Sequence, residues 1–209
     1  AKQKRKKRGI LPKEIIEVFK KDRPFALFLM IFFVQGFSNL MIMPLFPILL
    51  VDHLGISNAS MGKLVSLSSV FLIFSYLFWG HYIDKRGACR SLILNFFLRS
   101  LIPICYVFAT NIWYVVPASI LSGFTMGAQE LSRTHFITNR AKSKDVPTYQ
   151  AINLTLLGLR GVTAPFLGVT LMHRIGTESV FIIGFCLSIA SSLAMFLSNR
   201  YSFSKFLPS

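Results

Sequence analysis

Carboxylates are scarce in this sequence. Eight Asp and Glu stand against 23 Lys and Arg among 209 residues, for a formal net charge of +15. A carboxylate-built catalytic site or an oxygen cage for a hard cation has few residues to draw on. Cysteines are also few, and Cys89, Cys105 and Cys186 fall in or beside apolar runs rather than as a pair in a polar segment. That usage predicts reduced thiols and no disulfide framework. No GxSxG, no HExxH, no Cys/His metal cluster and no phosphate-binding glycine loop occurs. The expectation is therefore no enzyme chemistry, no metal and no cofactor.

What the chain has in quantity is apolar surface. It is 53% hydrophobic and 14% aromatic, with 21 Phe, and its mean hydropathy is +0.57. A soluble domain of this length needs a polar surface that such a composition does not supply. The basic residues are segregated: ten of the 23 lie in residues 2–23, and most others occupy short gaps between apolar runs. A nucleic-acid binder would spread them over amphipathic elements. The expected environment is a lipid bilayer, with no nucleic acid as partner. Six segments reach the roughly 20 apolar residues that a spanning helix needs: 24–51, 62–82, 91–109, 112–137, 148–171 and 179–198. Short connections make successive helices antiparallel. The sequence thus predicts an all-α polytopic membrane protein, with a basic cytoplasmic lead over 1–23 and a cytoplasmic tail over 199–209.

Lys and Arg set the orientation. One side holds the basic N-terminus, the 82–91 loop, the 138–147 loop with Arg140, Lys142 and Lys144, and the C-terminus with Arg200 and Lys205. The other side holds 52–61, 110–112 and 172–178, with only Arg174 and, at a helix start, Lys63. Both termini are expected in the cytoplasm, with the chain in a plasma or bacterial inner membrane. Trp113 and Tyr114 are then expected at the outer interface, and Trp79 and Tyr82 at the inner one. Residues 9–22 read as an amphipathic helix with Ile15, Ile16 and Phe19 on one face, lying on anionic headgroups.

Between the second and third spans stands "GHYIDKRGACR", residues 80–90. Its Gly80, Asp84, Lys85 and Gly87 resemble the signature loop of the major facilitator superfamily, which runs Gly, three residues, Asp, a basic residue, any residue, Gly and two basic residues. Here Ala88 and Cys89 stand in place of the basic pair, and the next charge is Arg90. "FFVQGFSNLMIMPLFPILLVDHLGIS" resembles the first helix of a six-helix half. "SILSGFTMGAQ" resembles the fourth-helix glycine motif, with Gly123 and Gly127 four residues apart and Ser119 where an arginine is usual. "GLRGVTAPFLG" resembles the fifth-helix motif, with Ala164 replacing the Gly before Pro165.

The resemblance implies a fold of two six-helix halves, each a 3+3 inverted repeat. This chain would be one half, and the basic lead resembles the linker that precedes a C-terminal half. An N-terminal half or a dimerising six-helix protein are the alternatives. A faint echo, Gly80–Gly87 beside Gly168–Gly176, fits the repeat. The implied activity is secondary active transport of a small molecule by alternating access, without a cofactor and with the other half as partner. A membrane scaffold or sensor that binds without flux is the rival reading.

Site residues follow from these readings. In the loop, Gly80 is expected to allow close helix approach and Gly87 a tight reversal at positive φ. Asp84 is expected to accept from a helix N-terminus, and Lys85, Arg86 and Arg90 to pair with carboxylates on neighbouring helix ends. Together these would form a cytoplasmic gate, joined by Glu130 and Arg133, with Arg99 a further partner for Glu130. Gly123, Gly127, Gly158, Gly161, Pro165 and Gly168 are expected to pack helices closely. Polar groups in a bilayer are costly and so mark function. Gln35 and Asn39 share a face, either toward a cavity or as glue between helices. Arg160 lies near the midplane of helix five and is expected to meet a negative group on the substrate or the other half; backbone carbonyls are the structural alternative. Helix six, without a charge, is expected to be peripheral.

Overall fold

The computed structural model of the protein describes residues 12–141 and 145–200, with side chains from residue 17 onward. The basic tether, the face formed by Ile15 and Ile16, the loop lysines Lys142 and Lys144, and Lys205 lie outside the described residues and side chains.

Every described element is helical: α1 Pro12–Lys21, α2 Arg23–Ile42, α3 Leu45–Ile48 continued by a π-helical turn Leu49–His53, α4 Asn58–Arg86, α5 Ala88–Val107, α6 Ile112–Arg140, α7 Val146–Ile175 and α8 Thr177–Ser198. In lipid a helix satisfies its own backbone groups, so only the ends need partners. Side chains supply them at several starts. Asp22 accepts from Phe25 N–H at 3.1 Å to cap α2, Ser57 accepts from Ser60 N–H to cap α4, and Asn111 accepts from Trp113 N–H to cap α6. The first predicted span is interrupted near Pro44, where α2 ends and the short α3 begins. The other long helices overlap the expected segments 62–82, 91–109, 112–137, 148–171 and 179–198, with α5 starting earlier and ending at Val107.

Five helical stretches are long and apolar enough to cross a membrane: Arg23–His53, Asn58–Arg86, Ala88–Val107, Val146–Ile175 and Thr177–Ser198. The remaining long helix, α6, has the same 29 residues as α4 but is more polar. It packs between α4 and α5.

The helices form a row of packed neighbours in the order α4, α6, α5, α8, α2, α7. Exchanging α2 with α6, α4 with α7 and α5 with α8 reverses that row and leaves it unchanged. The chain positions obey the same exchange. The starts of α2 and α6 (23 and 112), the ends of α4 and α7 (86 and 175) and the starts of α5 and α8 (88 and 177) are each 89 residues apart. Three crossings per repeat turn the second copy over, so the bundle is a 3+3 inverted repeat.

Each neighbouring pair in the row is joined by a hydrogen bond from a small or polar side chain. Ser75 and Trp79 of α4 both donate to the Phe124 carbonyl of α6. Ser132 of α6 donates to Ser91 of α5 at 2.8 Å, and Ser192 of α8 to the Ile93 carbonyl of α5 at 3.2 Å. Ser38 of α2 donates to the Gly184 carbonyl of α8 at 2.7 Å, and Arg160 of α7 to the Phe32 carbonyl of α2 at 2.8 Å. Such bonds contribute about 0.6 kcal/mol each on average, and they fix register as well.

Three expectations change. Trp79 is fully buried against Phe124 and is a core residue, not an interfacial one. Helix six, α8, packs along both α2 and α5 and presents buried Ser188, Ser191 and Ser192, so it is no peripheral strut. The amphipathic α1 turns Val18 and Phe19 onto the bundle core. Trp113 is exposed, as an interfacial ring would be.

Candidate functional site

Two apolar cores stack along the bundle. One holds Phe28, Phe32, Trp79, Phe96, Phe136 and Ile152; the other holds Met41, Leu64, Ile102, Val115, Ala164 and Phe181. Many of the buried polar residues fall between them: Gln35 and Ser38 on α2, Ser75 on α4, Ser100 on α5, Ser119 and Thr125 on α6, Arg160 on α7 and Ser188 on α8; Ser91, Asn95 and Asn153 instead adjoin Leu92, Phe96 and Ile152 of the first core, where Ser132 bonds Ser91. Mid-depth in this bundle is therefore a polar layer between two greasy ones. Each polar group there needs a partner, because the surroundings offer little water.

Arg160 is the one charged residue that the layer buries almost wholly, at 6% exposure. Its guanidinium lies in a notch left by Gly36 of α2, where any Cβ would overlap it. Nη1 bonds the Phe32 carbonyl, and the cation stands 5.2 Å from the Phe32 ring centre. Arg160 is thus held between α2 and α7, and the carbonyl contact, the structural alternative, is the one observed. Gln35 also resolves as glue: it is buried and donates to Ser188 of α8 at 3.4 Å. Asn39, one turn on, is half-buried.

Arg133 and Glu130 form the expected ion pair on α6. Arg99 does not join them. Its Nε and Nη1 are buried without a hydrogen-bond partner among the described residues. The nearby charges are of like sign: Arg160 bears on Arg99, and Arg133 on Arg160.

The expected 82–91 loop is helical except at Gly87, which has φ 81°, ends α4 with its N–H on the Ile83 carbonyl, and begins α5. Asp84, Lys85, Arg86 and Arg90 are exposed. Asp84 does not cap α5, and none of these four has an ion-pair partner among the described residues. Gly80 does not serve a close approach within this bundle, since a Cβ there meets nothing within 4 Å.

The packing glycines divide in the same way. Cβ atoms on Gly123 and Gly127 would collide with Ser68 and Ser75 of α4, and one on Gly168 with the Met41 backbone of α2. Gly158 and Gly161 meet nothing within 4 Å, which corrects their assignment as packing residues in this chain. α7 runs through Pro165 without a break.

Sequence reasoning missed the cluster around Asp22. Arg140 Nε donates to both carboxylate oxygens, at 3.1 and 2.9 Å, and Nη2 to Oδ1 at 2.7 Å. The Tyr149 hydroxyl donates to Oδ2 at 3.2 Å. Asp22 therefore caps α2 while tying the ends of α6 and α7 to it. These hydrogen bonds push the Arg140 guanidinium above its usual pKa, so it stays charged. A cavity of about 520 Å³ opens beside the cluster, between α1 and the starts of α7. An acidic residue directly before Arg23-Pro24 was a legible capping signal; its long-range partners were not.

An inverted repeat of membrane helices with a polar layer at mid-depth is the architecture of an integral membrane transport domain. The sequence pattern described as Major Facilitator Superfamily matches residues 28–208, and the chain belongs to that family of transporters. It is similar to the multidrug resistance protein MdtG of Serratia proteamaculans, 27% identical over 161 residues, covering 72% of this chain and 38% of the relative. It is also similar to a multi-drug resistance efflux pump PmrA homolog of Lactococcus lactis, 29% identical over 174 residues, covering 80% of this chain and 42% of the relative. The chain spans about two-fifths of the length of these curated relatives.

Proposed function

We propose that the chain forms one six-helix half of a secondary active transporter, which moves a small organic solute by alternating access against a second half. The observation that carries this reading is the pair of open faces at the two ends of the row. α4 exposes Val65, Ile73, Phe74 and Leu77, and α7 exposes Leu159, Val162 and Phe166. Gly80 on α4 and Gly158 and Gly161 on α7 stand open among them, as small residues do where another helix is to come close. Lipid and the other half would share these faces. The names of the relatives support export as the direction and a drug-like solute as the cargo. The basic loops support a cytoplasmic position for both termini and for the 80–90 loop. With no ionic partner among the described residues, Asp84 with Lys85, Arg86 and Arg90 would close the gate on the facing half.

Reconstitution of the full-length protein tests this. Vesicles carrying an imposed proton or sodium gradient should accumulate or expel a fluorescent lipophilic dye, and dissipating the gradient should stop it. Asp84→Asn should fold normally and slow that flux, because an exposed ion pair contributes only about 1 kcal/mol or less to stability. Dye binding without gradient-driven flux would favour a scaffold or sensor. Loss of folding in Asp84→Asn would make the loop structural.

A further inference from the structure

α2 and α6 exchange under the repeat, and in the row α5 and α8 stand between them. At one end of the bundle they nevertheless meet. Arg140 at the end of α6 forks onto Asp22 before α2, with Nη2 2.7 Å from Oδ1 and Nε 2.9 Å from Oδ2. Tyr149 near the start of α7 donates to the same carboxylate. Two ring contacts back this clasp. Phe28 of α2 stacks on Phe136 of α6 with ring centres 3.8 Å apart, and the rings of Phe25 and Tyr149 are 4.2 Å apart.

The repeat gives each of these residues a counterpart at the opposite end of the bundle, 89 positions away. Asp22 corresponds to Asn111, and each accepts a hydrogen bond from the first turn of its own helix. The likeness stops there. Arg140 corresponds to Val51, Tyr149 to Ser60, Phe28 to Pro117 and Phe136 to Pro47. Neither the ion pair nor the ring stacks can form between those side chains, and Asn111, Val51, Pro117 and Pro47 are exposed. The helices thus obey the repeat, while the closure between α2 and α6 breaks it.

We infer that Asp22, Arg140 and Tyr149 form a latch, closed in this structure, that releases when the half opens at that end. The inference rests on the transporter reading above and names a moving part within this half. Two near-equivalent repeats can trade conformations at little cost, since each already has the shape that the other takes. In that exchange the clasped end takes up the arrangement of the unclasped one. Because the charged contact exists at one end only, it biases the exchange toward the closed state. The chemistry suits release. All three polar side chains line the cavity of about 520 Å³, so water can take over their hydrogen bonds as they part.

The test uses the full-length protein in lipid nanodiscs, free of cysteine except for Arg23→Cys and Asn139→Cys. Both positions are exposed and flank the clasp without belonging to it. Spin labels there should report a short and a long distance. Asp22→Asn and Arg140→Gln should each raise the ratio of long to short about tenfold or more, as expected for hydrogen bonds lost by a charged group. If one variant does not fold, the other decides. A single distance that is the same in the wild type and the variants would make the clasp a fixed corner of the fold and overturn the latch. Joining the same two cysteines through a flexible, reducible cross-linker leaves the clasp intact and should stop dye flux until the linker is reduced. Normal flux in the cross-linked protein would also overturn the latch. Absence of flux before cross-linking would refute the transporter reading instead, and the distances would still show whether this end opens.

Discussion

Gly87 and Gly176 share one backbone conformation, φ 81° and ψ 158° in the first and φ 85° and ψ 160° in the second. Each closes a long helix with its N–H on the carbonyl four residues back, Ile83 at 2.8 Å and Met172 at 3.0 Å, and each opens the next helix. They occupy matching places in the two repeats. Nothing lies within 4 Å of a Cβ built on either. An L side chain at this φ is strained by its own backbone alone.

Gly87→Ala and Gly176→Ala should therefore destabilise by similar amounts, about 1–3 kcal/mol each. The two sites are far apart in the chain and share no partner, so the double variant should be close to additive. Reversible unfolding of the full-length protein in mixed micelles measures both. A neutral substitution at one site and a costly one at the other would show that the two turns are not equivalent.

The helical glycines split into two groups with opposite expected signs. A Cβ on Gly123 would overlap the Ser68 carbonyl, and one on Gly168 the Met41 carbonyl. Backbone atoms cannot rotate aside, so Gly123→Ala and Gly168→Ala should cost about 1–3 kcal/mol as overpacking does. Gly158→Ala and Gly161→Ala meet open space and should be neutral or gain about 0.5–1 kcal/mol from helix propensity. Gly161→Leu should likewise leave this bundle folded. Its transport rate then reports on the exposed α7 face: a sharp fall means that another helix packs there, and a normal rate means that lipid does.

How far the sequence speaks depends on whether a signal is local. Apolar run length is local, and it marks where the long apolar helices lie along the chain. The positive φ at Gly87 was legible because Asp84-Lys85-Arg86-Gly87 ends a helix in a known pattern. The face toward which a residue points was not legible. Gly161 and Gly168 are seven residues apart on one side of α7, yet only Gly168 meets a neighbour. Trp79 sits where an interfacial tryptophan is expected, but Gly123 and Gly127 bring α4 so close to α6 that the indole reaches the Phe124 carbonyl. Arg160 looked like a ligand-binding cation because Gly36, 124 positions earlier, gives no sign in sequence that it leaves room for a guanidinium.

That notch yields a sharp expectation. Gly36→Ala must expel the Arg160 guanidinium or part α2 from α7. Either outcome loses the Phe32 carbonyl bond, so the cost should reach about 1.5–3 kcal/mol, the range for a hydrogen bond made by a charged group. A shorter uncharged side chain relieves the collision. Gly36→Ala combined with Arg160→Ala should be less destabilised than the sum of the single variants by about 1–3 kcal/mol. Additive costs would mean that the two residues do not meet.

The clasp at Asp22 can be dissected by choosing what each variant keeps. Asp22 does two things: it caps α2 through the Phe25 N–H, and it receives the Arg140 fork and the Tyr149 hydroxyl. Asparagine is as good a cap as aspartate, so Asp22→Asn removes chiefly the charge. The pair is mostly buried, with side chains 11% and 19% exposed, so solvent screens it less than an ordinary surface pair. Asp22→Asn should cost about 1.5–3 kcal/mol, the range for hydrogen bonds to a charged group. Asp22→Ala loses the cap as well and should cost about 1 kcal/mol more. Arg140→Lys keeps the charge but not the two-pronged geometry, and should recover only part of the wild-type stability. Because α1 is continuous with this corner and rests Val18 and Phe19 on the core, loosening the clasp should free α1 first. Hydrogen exchange over residues 17–25 should speed up by tenfold or so for each 1.4 kcal/mol lost, while exchange in α5 and α8 stays slow. If α1 keeps its protection in Asp22→Ala, its packing rather than the clasp holds it. If the whole bundle exchanges faster, Asp22 supports the fold and not merely its own corner.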